Sequence, residues 1–204
     1  AMIYDESSWQ YLYAAYAPKG YMAWYADKLY SVSTDGKTLR ASAANDVDGT
    51  WTTAVLTGNF GTVYGLYSGK LPGTSATALL MHSNKGWWYI DTTNSYAYPL
   101  DISYPPHTNA GRAGMFWNAN NWIATGAGIL RIDSSGEAYD VGPDIEDGLP
   151  SGYQGYISDF TVCKNWLIYA VNGGTTDKSS IFKLNPSIGG NLQVYTTSAV
   201  NKPI

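Results

Sequence analysis

The stretch Ile157-Ser158-Asp159-Phe160-Thr161-Val162, Lys164-Asn165, Trp166-Leu167-Ile168-Tyr169-Ala170-Val171, Asn172-Gly173-Gly174, Ser180-Ile181-Phe182-Lys183-Leu184 decides the fold. Each apolar run is rich in β-branched and aromatic residues, and has the length of a strand rather than a helix. The two-residue break Lys164-Asn165 fits a tight hairpin, and Asn172-Gly173-Gly174 offers the backbone freedom a second reversal needs. Asn185-Pro186 closes the third run, because proline cannot donate to a strand ladder. Leu192-Gln193-Val194-Tyr195 supplies a short fourth. Four such runs joined by hairpin-sized loops make an up-and-down antiparallel meander.

The same phrase recurs upstream. Gly114-Met115-Phe116-Trp117, Trp122-Ile123-Ala124-Thr125, Ile129-Leu130-Arg131-Ile132-Asp133 and Ala138-Tyr139-Asp140-Val141 form one copy. Val63-Tyr64-Gly65-Leu66-Tyr67, Ala78-Leu79-Leu80-Met81, Trp87-Trp88-Tyr89-Ile90-Asp91 and Tyr96-Ala97-Tyr98-Pro99-Leu100 form another. Tyr21-Met22-Ala23-Trp24-Tyr25, Leu29-Tyr30-Ser31-Val32, Thr38-Leu39-Arg40-Ala41-Ser42 and Trp51-Thr52-Thr53-Ala54-Val55 form the first. Third strands end alike, in Asp91, Asp133 and Asn185. A period of about 40 to 50 residues is that of propeller blades, and amphipathic helical periodicity is absent. A sandwich also shows short, evenly spaced strands, but it would not repeat a four-strand phrase with its turns in register. Central strands such as 78–81 and 166–171 are apolar on both faces, as a blade between two neighbours requires. The fold class is therefore all-β, a β-propeller with about four four-stranded antiparallel blades. Residues 1–204 form a single domain with blades near 20–58, 61–103, 112–143 and 155–198. Residues 8–16 add an extra outer strand, with Trp9-Gln10-Tyr11-Leu12-Tyr13 resembling the last strand of a blade. It either closes a ring on the C-terminal blade or marks the chain as a slice of a larger propeller, and the slice is the expectation.

Composition narrows the function. Of 204 residues 14% are charged, with a formal net charge of -4 and no basic run, which excludes the footprint of a nucleic-acid partner. Tyr (18) and Trp (8) far outnumber Phe (4). These rings suit half-buried strands, and the alternative is a surface that stacks on sugars or anchors a protein partner. The single cysteine, Cys163, excludes an intramolecular disulfide and a Cys-rich metal site, and its apolar context predicts a buried, inert thiol. No apolar stretch approaches the roughly 20 residues of a membrane span, so no membrane partner is expected. Ala1-Met2-Ile3-Tyr4-Asp5-Glu6 lacks the pattern of a signal peptide, and its Ala-Met start reads as a cloning remnant or an excised segment.

Specific phrases carry a resemblance. Val141-Gly142-Pro143-Asp144-Ile145-Glu146-Asp147-Gly148-Leu149-Pro150 runs into Tyr153-Gln154-Gly155-Tyr156-Ile157. Trp166-Leu167-Ile168-Tyr169-Ala170-Val171-Asn172-Gly173-Gly174 is followed by Ser179-Ser180-Ile181. Together they resemble propeller-forming virion proteins of tailed bacteriophages and viral metagenomes, in which a VGPD..DGLP loop precedes a WLYAAVDGG…SSI strand pair. Residues 39–51, with Ser42, Asp46, Asp48 and Trp51, are similar to a further phrase of those proteins. Asn172 stands where an Asp is commoner, and no terminal assembly module is present. The resemblance implies a tail or particle-surface component, located on a virion or outside the cell.

No catalytic constellation appears. His82 follows a strand and His107 lies in the loop Pro105-Pro106-His107-Thr108-Asn109; neither has the third ligand or orienting carboxylate that a metal or catalytic site needs. Asp140, Asp144, Glu146 and Asp147 form an acidic loop, yet the spacing matches no calcium loop and Pro143 and Pro150 account for a rigid turn. A glycosidase would require two carboxyls across one cleft. The glycines of 172–174 and 126–128 lie between strands and serve turns rather than phosphates. No catalytic residue, metal or cofactor is assigned. In a propeller the loops between second and third strands share a face with the loops that link blades. That face collects 84–85, 105–112, 144–156 and 173–177, and makes His107, Arg112, Tyr153 and Tyr156 the candidate ligand-binding residues. The opposite face carries 68–75, with Lys70 and Pro72, as a contact for an adjacent subunit. The expected function is a non-enzymatic structural or interaction module, a phage virion or tail component docking to another particle protein. The alternative is a carbohydrate-binding propeller, marked by an exposed aromatic beside a carboxylate or amide at equivalent blade positions. A glycoside hydrolase ranks third.

Overall fold

The computed structural model describes residues 2–4, 9–11, 20–33, 35–47, 49–102, 110–126, 128–141, 155–173, 178–185 and 193–200. Strands β1 (Met2–Tyr4) and β2 (Trp9–Tyr11) precede four blades. The first blade holds β3 (Tyr21–Tyr25), β4 (Lys28–Val32), β5 (Thr38–Ala41) and β6 (Thr52–Val55). The second holds β7 (Val63–Lys70), β8 (Thr77–Ser83), β9 (Gly86–Asp91) and β10 (Tyr96–Leu100). The third holds β11 (Ala110–Trp117), β12 (Asn120–Thr125), β13 (Ile129–Ile132) and β14 (Ala138–Asp140). The fourth holds β15 (Tyr156–Cys163), β16 (Trp166–Asn172), β17 (Lys178–Leu184) and β18 (Gln193–Val200). Every blade is an antiparallel meander in chain order. The tight turns explain why. Ala26 and Asp27 (φ 47° and 59°), like Asn118 and Ala119 (φ 49° and 60°), take the paired left-handed conformation whose twist matches that of the flanking strands. These turns set Tyr25 opposite Lys28 and Trp117 opposite Asn120.

Of the outer strand expected at 8–16, residues 9–11 are described: β2 pairs with β1, Met2 opposite Tyr11 and Tyr4 opposite Trp9, and residues 8 and 12–16 lie outside the described residues.

Successive blades touch through their first strands, β3 on β7, β7 on β11 and β11 on β15, which places those strands innermost. Alternation gives each blade a forward face toward the next blade and a rear face toward the one before. Ala23, Tyr30, Val32, Leu39 and Ala41 of the first blade meet Leu66, Leu79, Met81, Trp88 and Ile90 of the second. The forward face of the second, with Tyr67, Ala78, Leu80 and Trp87, meets Ile123, Leu130 and Ile132 of the third. Trp122, Ala124 and Ile129 then meet Ile157, Leu167, Tyr169, Val171, Phe182 and Leu184 of the fourth. Each fully buried aliphatic or Phe side chain contributes about 1.5–3 kcal/mol of hydrophobic driving force, so these junctions hold the blades in line. Close approach is specified by glycine. A Cβ on Gly114 would lie 2.5 Å from the Tyr67 ring, and one on Gly69 would lie 2.3 Å from Asn121 Oδ1.

Two expectations fail at the fourth blade for one reason. β8 is buried on both faces from Ala78 to Met81 as expected, but in β16 only Leu167, Tyr169 and Val171 are buried, while Trp166, Ile168 and Ala170 are half-buried. Cys163, expected to be buried, is exposed at the end of β15. Both results follow because no further blade covers this forward face among the described residues. On the rear face of the first blade Met22 and Trp24 are 51% and 47% exposed, while Ser31 and Ser42 are buried.

Candidate functional site

Two loop faces flank the blades, and the structure populates both. On the face that carries the inter-blade loops, Arg112 sits near the start of β11 and Tyr156 at the start of β15. The Arg112 guanidinium lies over the Tyr156 ring, 5.3 Å from its centroid. The Tyr156 hydroxyl accepts a hydrogen bond from Asn172 Nδ2 at 3.1 Å, with Tyr156 and Asn172 directly opposite in the β15–β16 ladder. Gly155 makes the approach possible, since a Cβ there would fall 2.1 Å from the Asn172 carbonyl oxygen. The Ile157 N–H donates across the blade junction to the Gly126 carbonyl at 3.1 Å. A cation, an aromatic ring and an amide from two blades thus form one fixed patch, able to anchor a partner through stacking and directed hydrogen bonds. Of the four residues named from sequence, Arg112 and Tyr156 meet; His107 and Tyr153 lie outside the described residues, as do Asp144, Glu146 and Asp147. Asn172 belongs to the patch and was assigned in the sequence only to a turn; the signal available was its position as the last residue of a strand facing an aromatic run.

His82 is part of the core rather than of a site. It is fully buried in β8, its ring stacked on Trp87 at 4.0 Å and 16° and edge-on to Tyr64 at 6.0 Å.

The opposite face carries two cavities. One, of about 380 Å³, lies where the loop 71–76 leans on the third blade, and is lined by Lys70, Pro72, Ser75, Phe116, Asn121 and Asp133 among others. Lys70 Nζ donates to the Ser75 carbonyl and lies 5.8 Å from the Phe116 ring centroid. Asn121, 2% exposed, ties the junction: its Oδ1 accepts from the Lys70 N–H at 2.9 Å and its Nδ2 donates to the Lys70 carbonyl at 2.7 Å. The second cavity, of about 360 Å³, lies one junction earlier and is lined by Tyr25, Leu71, Thr77, Tyr89, Asp91 and Tyr98 among others. Its shelf is aromatic: Tyr89 and Tyr98 stack at 5.2 Å and 18°, and Tyr96 lies against Tyr98 at 4.6 Å. The sequence marks 68–75, with Lys70 and Pro72, as a contact for an adjacent subunit; residues 68–70 belong to β7.

The repeated third-strand aspartates serve the turns of this face. Asp91 Oδ1 accepts from the Thr93 and Asn94 N–H groups and Asp91 Oδ2 from Asn94 Nδ2. Asp133 Oδ1 accepts from the Ser135 hydroxyl and N–H and from the Glu137 N–H. Both carboxyls are held below the usual carboxylate range, the first chiefly by the Asn94 side chain and the second by the Ser135 hydroxyl. A folded-state pKa below the unfolded one adds stability above the unfolded value of about 3.9, which is lost as pH falls through the folded value. A carboxyl-detected NMR titration is expected to place both midpoints below about 3.9, the model-peptide value; midpoints at or above it would mean that these turns are open in solution.

No protein-family model and no curated protein matches the sequence. Solved structures match its fold. An auxiliary nutrient binding protein from Bacteroides ovatus is 13% identical at a TM-score of 0.55, over 92% of this chain and 44% of that one. Two structures of the extracellular domain of BT4673 from B. thetaiotaomicron are each 14% identical, at TM-scores of 0.54 and 0.53, over 90% of this chain and 23% of theirs. The chain therefore spans less than half the length of these proteins. Its class is that of an all-β, propeller-like repeat fold built of four antiparallel four-stranded sheets.

Proposed function

We propose that this chain is a non-enzymatic binding module displayed outside the cell or on a particle surface, and that it docks a protein partner across the face bearing Arg112, Tyr156 and Asn172. The observation that carries the reading is the Arg112–Tyr156 pair, contributed by two blades and fixed by Asn172. Arg and Tyr are the side chains most often found to anchor interfaces, and loops on a rigid scaffold carry binding surfaces. The fold-level likeness to an extracellular domain and to a nutrient binding protein supports the location. The narrower form of the proposal, a phage virion or tail component, rests on the phrases at 141–157 and 166–181.

One observation favours a second reading, glycan binding on the opposite face. Exposed Tyr98 shares a cavity with Asp91, and Tyr139, 42% exposed, donates its hydroxyl to Asp133 at 3.4 Å. Tyr98 and Tyr139 occupy equivalent fourth-strand positions, opposite Tyr89 and Arg131. A glycan array and biolayer interferometry on purified phage particles separate the two. Protein docking predicts particle binding that falls at least about tenfold, or 1.4 kcal/mol, in Arg112→Ala and is unmoved by Tyr98→Ala. Glycan binding predicts the reverse dependence on the array. Binding in neither assay, with a folded chain, sinks both readings.

A further inference from the structure

The cavity between the loop 71–76 and the third blade combines fixed walls with a cation that has donors to spare. We propose that it binds a small organic carboxylate, whose carboxylate meets Lys70 and whose apolar, ring-sized body lies against Phe116, Pro72 and Ile132. The site depends on neither reading given above, because the cavity lies one junction beyond the Tyr98 shelf and on the face opposite Arg112.

The walls are built in. Asn121 and Ile132, both buried, line the inner side. Asn121 bonds the N–H and the carbonyl of Lys70, which fixes the base of the loop to the third blade. The loop is tied to itself: the Leu71 N–H donates to the Ala76 carbonyl at 2.9 Å and the Thr74 N–H to the Leu71 carbonyl at 3.0 Å. Thr74 Oγ1 in turn accepts from the Ala76 N–H at 3.2 Å. The tip rests on a turn of the third blade, where a Cβ on Gly136 would lie 3.2 Å from the Gly73 nitrogen. At about 380 Å³ the cavity falls at the small end of ligand sites, and walls already held in place leave little to order on binding.

Charge and polarity set the ligand. Lys70 is half-buried, and its ammonium lies 5.8 Å from the Phe116 ring centroid while donating to the Ser75 carbonyl. An ammonium has further N–H donors beyond that one, and no carboxylate among the described residues forms an ion pair with it. Asp133 also lines the cavity, but its oxygens serve its own blade. Oδ1 accepts within the turn 133–137 and Oδ2 accepts from the Tyr139 hydroxyl at 3.4 Å. A charge-assisted hydrogen bond to an anion is the strongest contact the remaining Lys70 donors can make. A lone lysine, with no arginine fork beside it, suits a singly charged carboxylate rather than a phosphate. Leu71, Pro72, Phe116 and Ile132 offer the rest of the ligand hydrocarbon to lie against, so its body is apolar rather than hydroxylated.

A heteronuclear NMR titration with phenylacetate at fixed ionic strength is expected to shift the amide signals of Gly73, Thr74 and Ser134, saturating below about 10 mM. Phenylacetamide has the same shape without the charge, and glucuronate has the charge on a hydroxylated ring. Each is expected to bind at least about tenfold more weakly than phenylacetate. Lys70→Met is expected to weaken phenylacetate by the same factor, and Tyr98→Ala to leave it unchanged. Lys70→Met keeps the backbone atoms that Asn121 bonds, and the comparison of acid with amide reads the same charge contact on the unaltered chain. The absence of a saturable shift would overturn the site. Equal affinity for acid and amide would overturn the role of Lys70. Tighter binding of glucuronate would overturn the apolar body and assign the cavity to a sugar acid.

Discussion

Trp122→Ala is expected to lower the free energy of unfolding by about 3–5 kcal/mol, the range for truncating a large buried aromatic. Trp122 is 1% exposed on the forward face of the third blade, and its Nε1–H donates to the Trp117 carbonyl at 3.0 Å. It packs in the cluster that holds Ile157, Leu167, Tyr169 and Phe182 of the fourth blade. Removing the indole opens a cavity at that junction and takes the Nε1–H donor from the Trp117 carbonyl. Because, among the described residues, packing joins each blade to its neighbours in the chain, the loss is expected to fall on the fourth blade, so that it melts before the first three. Urea unfolding followed by fluorescence and by far-UV dichroism reads both effects: an earlier midpoint, and two probes that no longer coincide. A loss under about 1 kcal/mol, the level of an ordinary surface change, would mean that the fourth blade is not seated on the third.

That junction also shows what could be read from sequence. Strand existence was legible wherever apolar runs met tight turns, because hairpin chemistry is local: Lys164-Asn165 announces its reversal within four residues, and the turn expected over 118–121 is confined in the structure to Asn118-Ala119. The four-blade rhythm followed from repetition. Relations between blades were not legible, because they depend on radial packing. Nothing near Asn121 in the chain indicates that its amide bonds residue Lys70, 51 positions earlier. The composition of β16 suggested burial on both sides and the run before Cys163 suggested a buried thiol, but burial of a forward face requires a following blade, and the fourth has none among the described residues. Cys163 was misplaced by that count, not by its own surroundings. The site was half legible. Topology put Arg112 and Tyr156 on one face, while their pairing and the role of Asn172 needed the register of β15 on β16. The aromatic shelf of Tyr89 and Tyr98 arises from a cross-strand pair that the sequence displays only as scattered tyrosines.

Asn121→Leu, close in volume, is expected to destabilise by about 2–4 kcal/mol, because it leaves the Lys70 N–H and carbonyl at a blade junction with no partner. Asn121→Asp separates the two bonds. Its carboxylate still accepts from the Lys70 N–H but sets a second oxygen against the Lys70 carbonyl. That contact disfavours the charged form and raises the folded-state pKa, so the variant is expected to be weakest at neutral pH and to recover as pH falls through the raised value. Gly69 tests the same contact from the other side. A Cβ there would sit 2.3 Å from Asn121 Oδ1, so Gly69→Ala is expected to cost about 1–3 kcal/mol as an overpacked site. With Asn121→Ala the obstructing oxygen is gone, and adding Gly69→Ala should cost little more. Urea unfolding of the four chains gives the coupling, expected at about 1 kcal/mol or more in favour of the double variant. Additive losses would place the Asn121 amide away from Gly69 and remove the side chain that locks the second blade to the third.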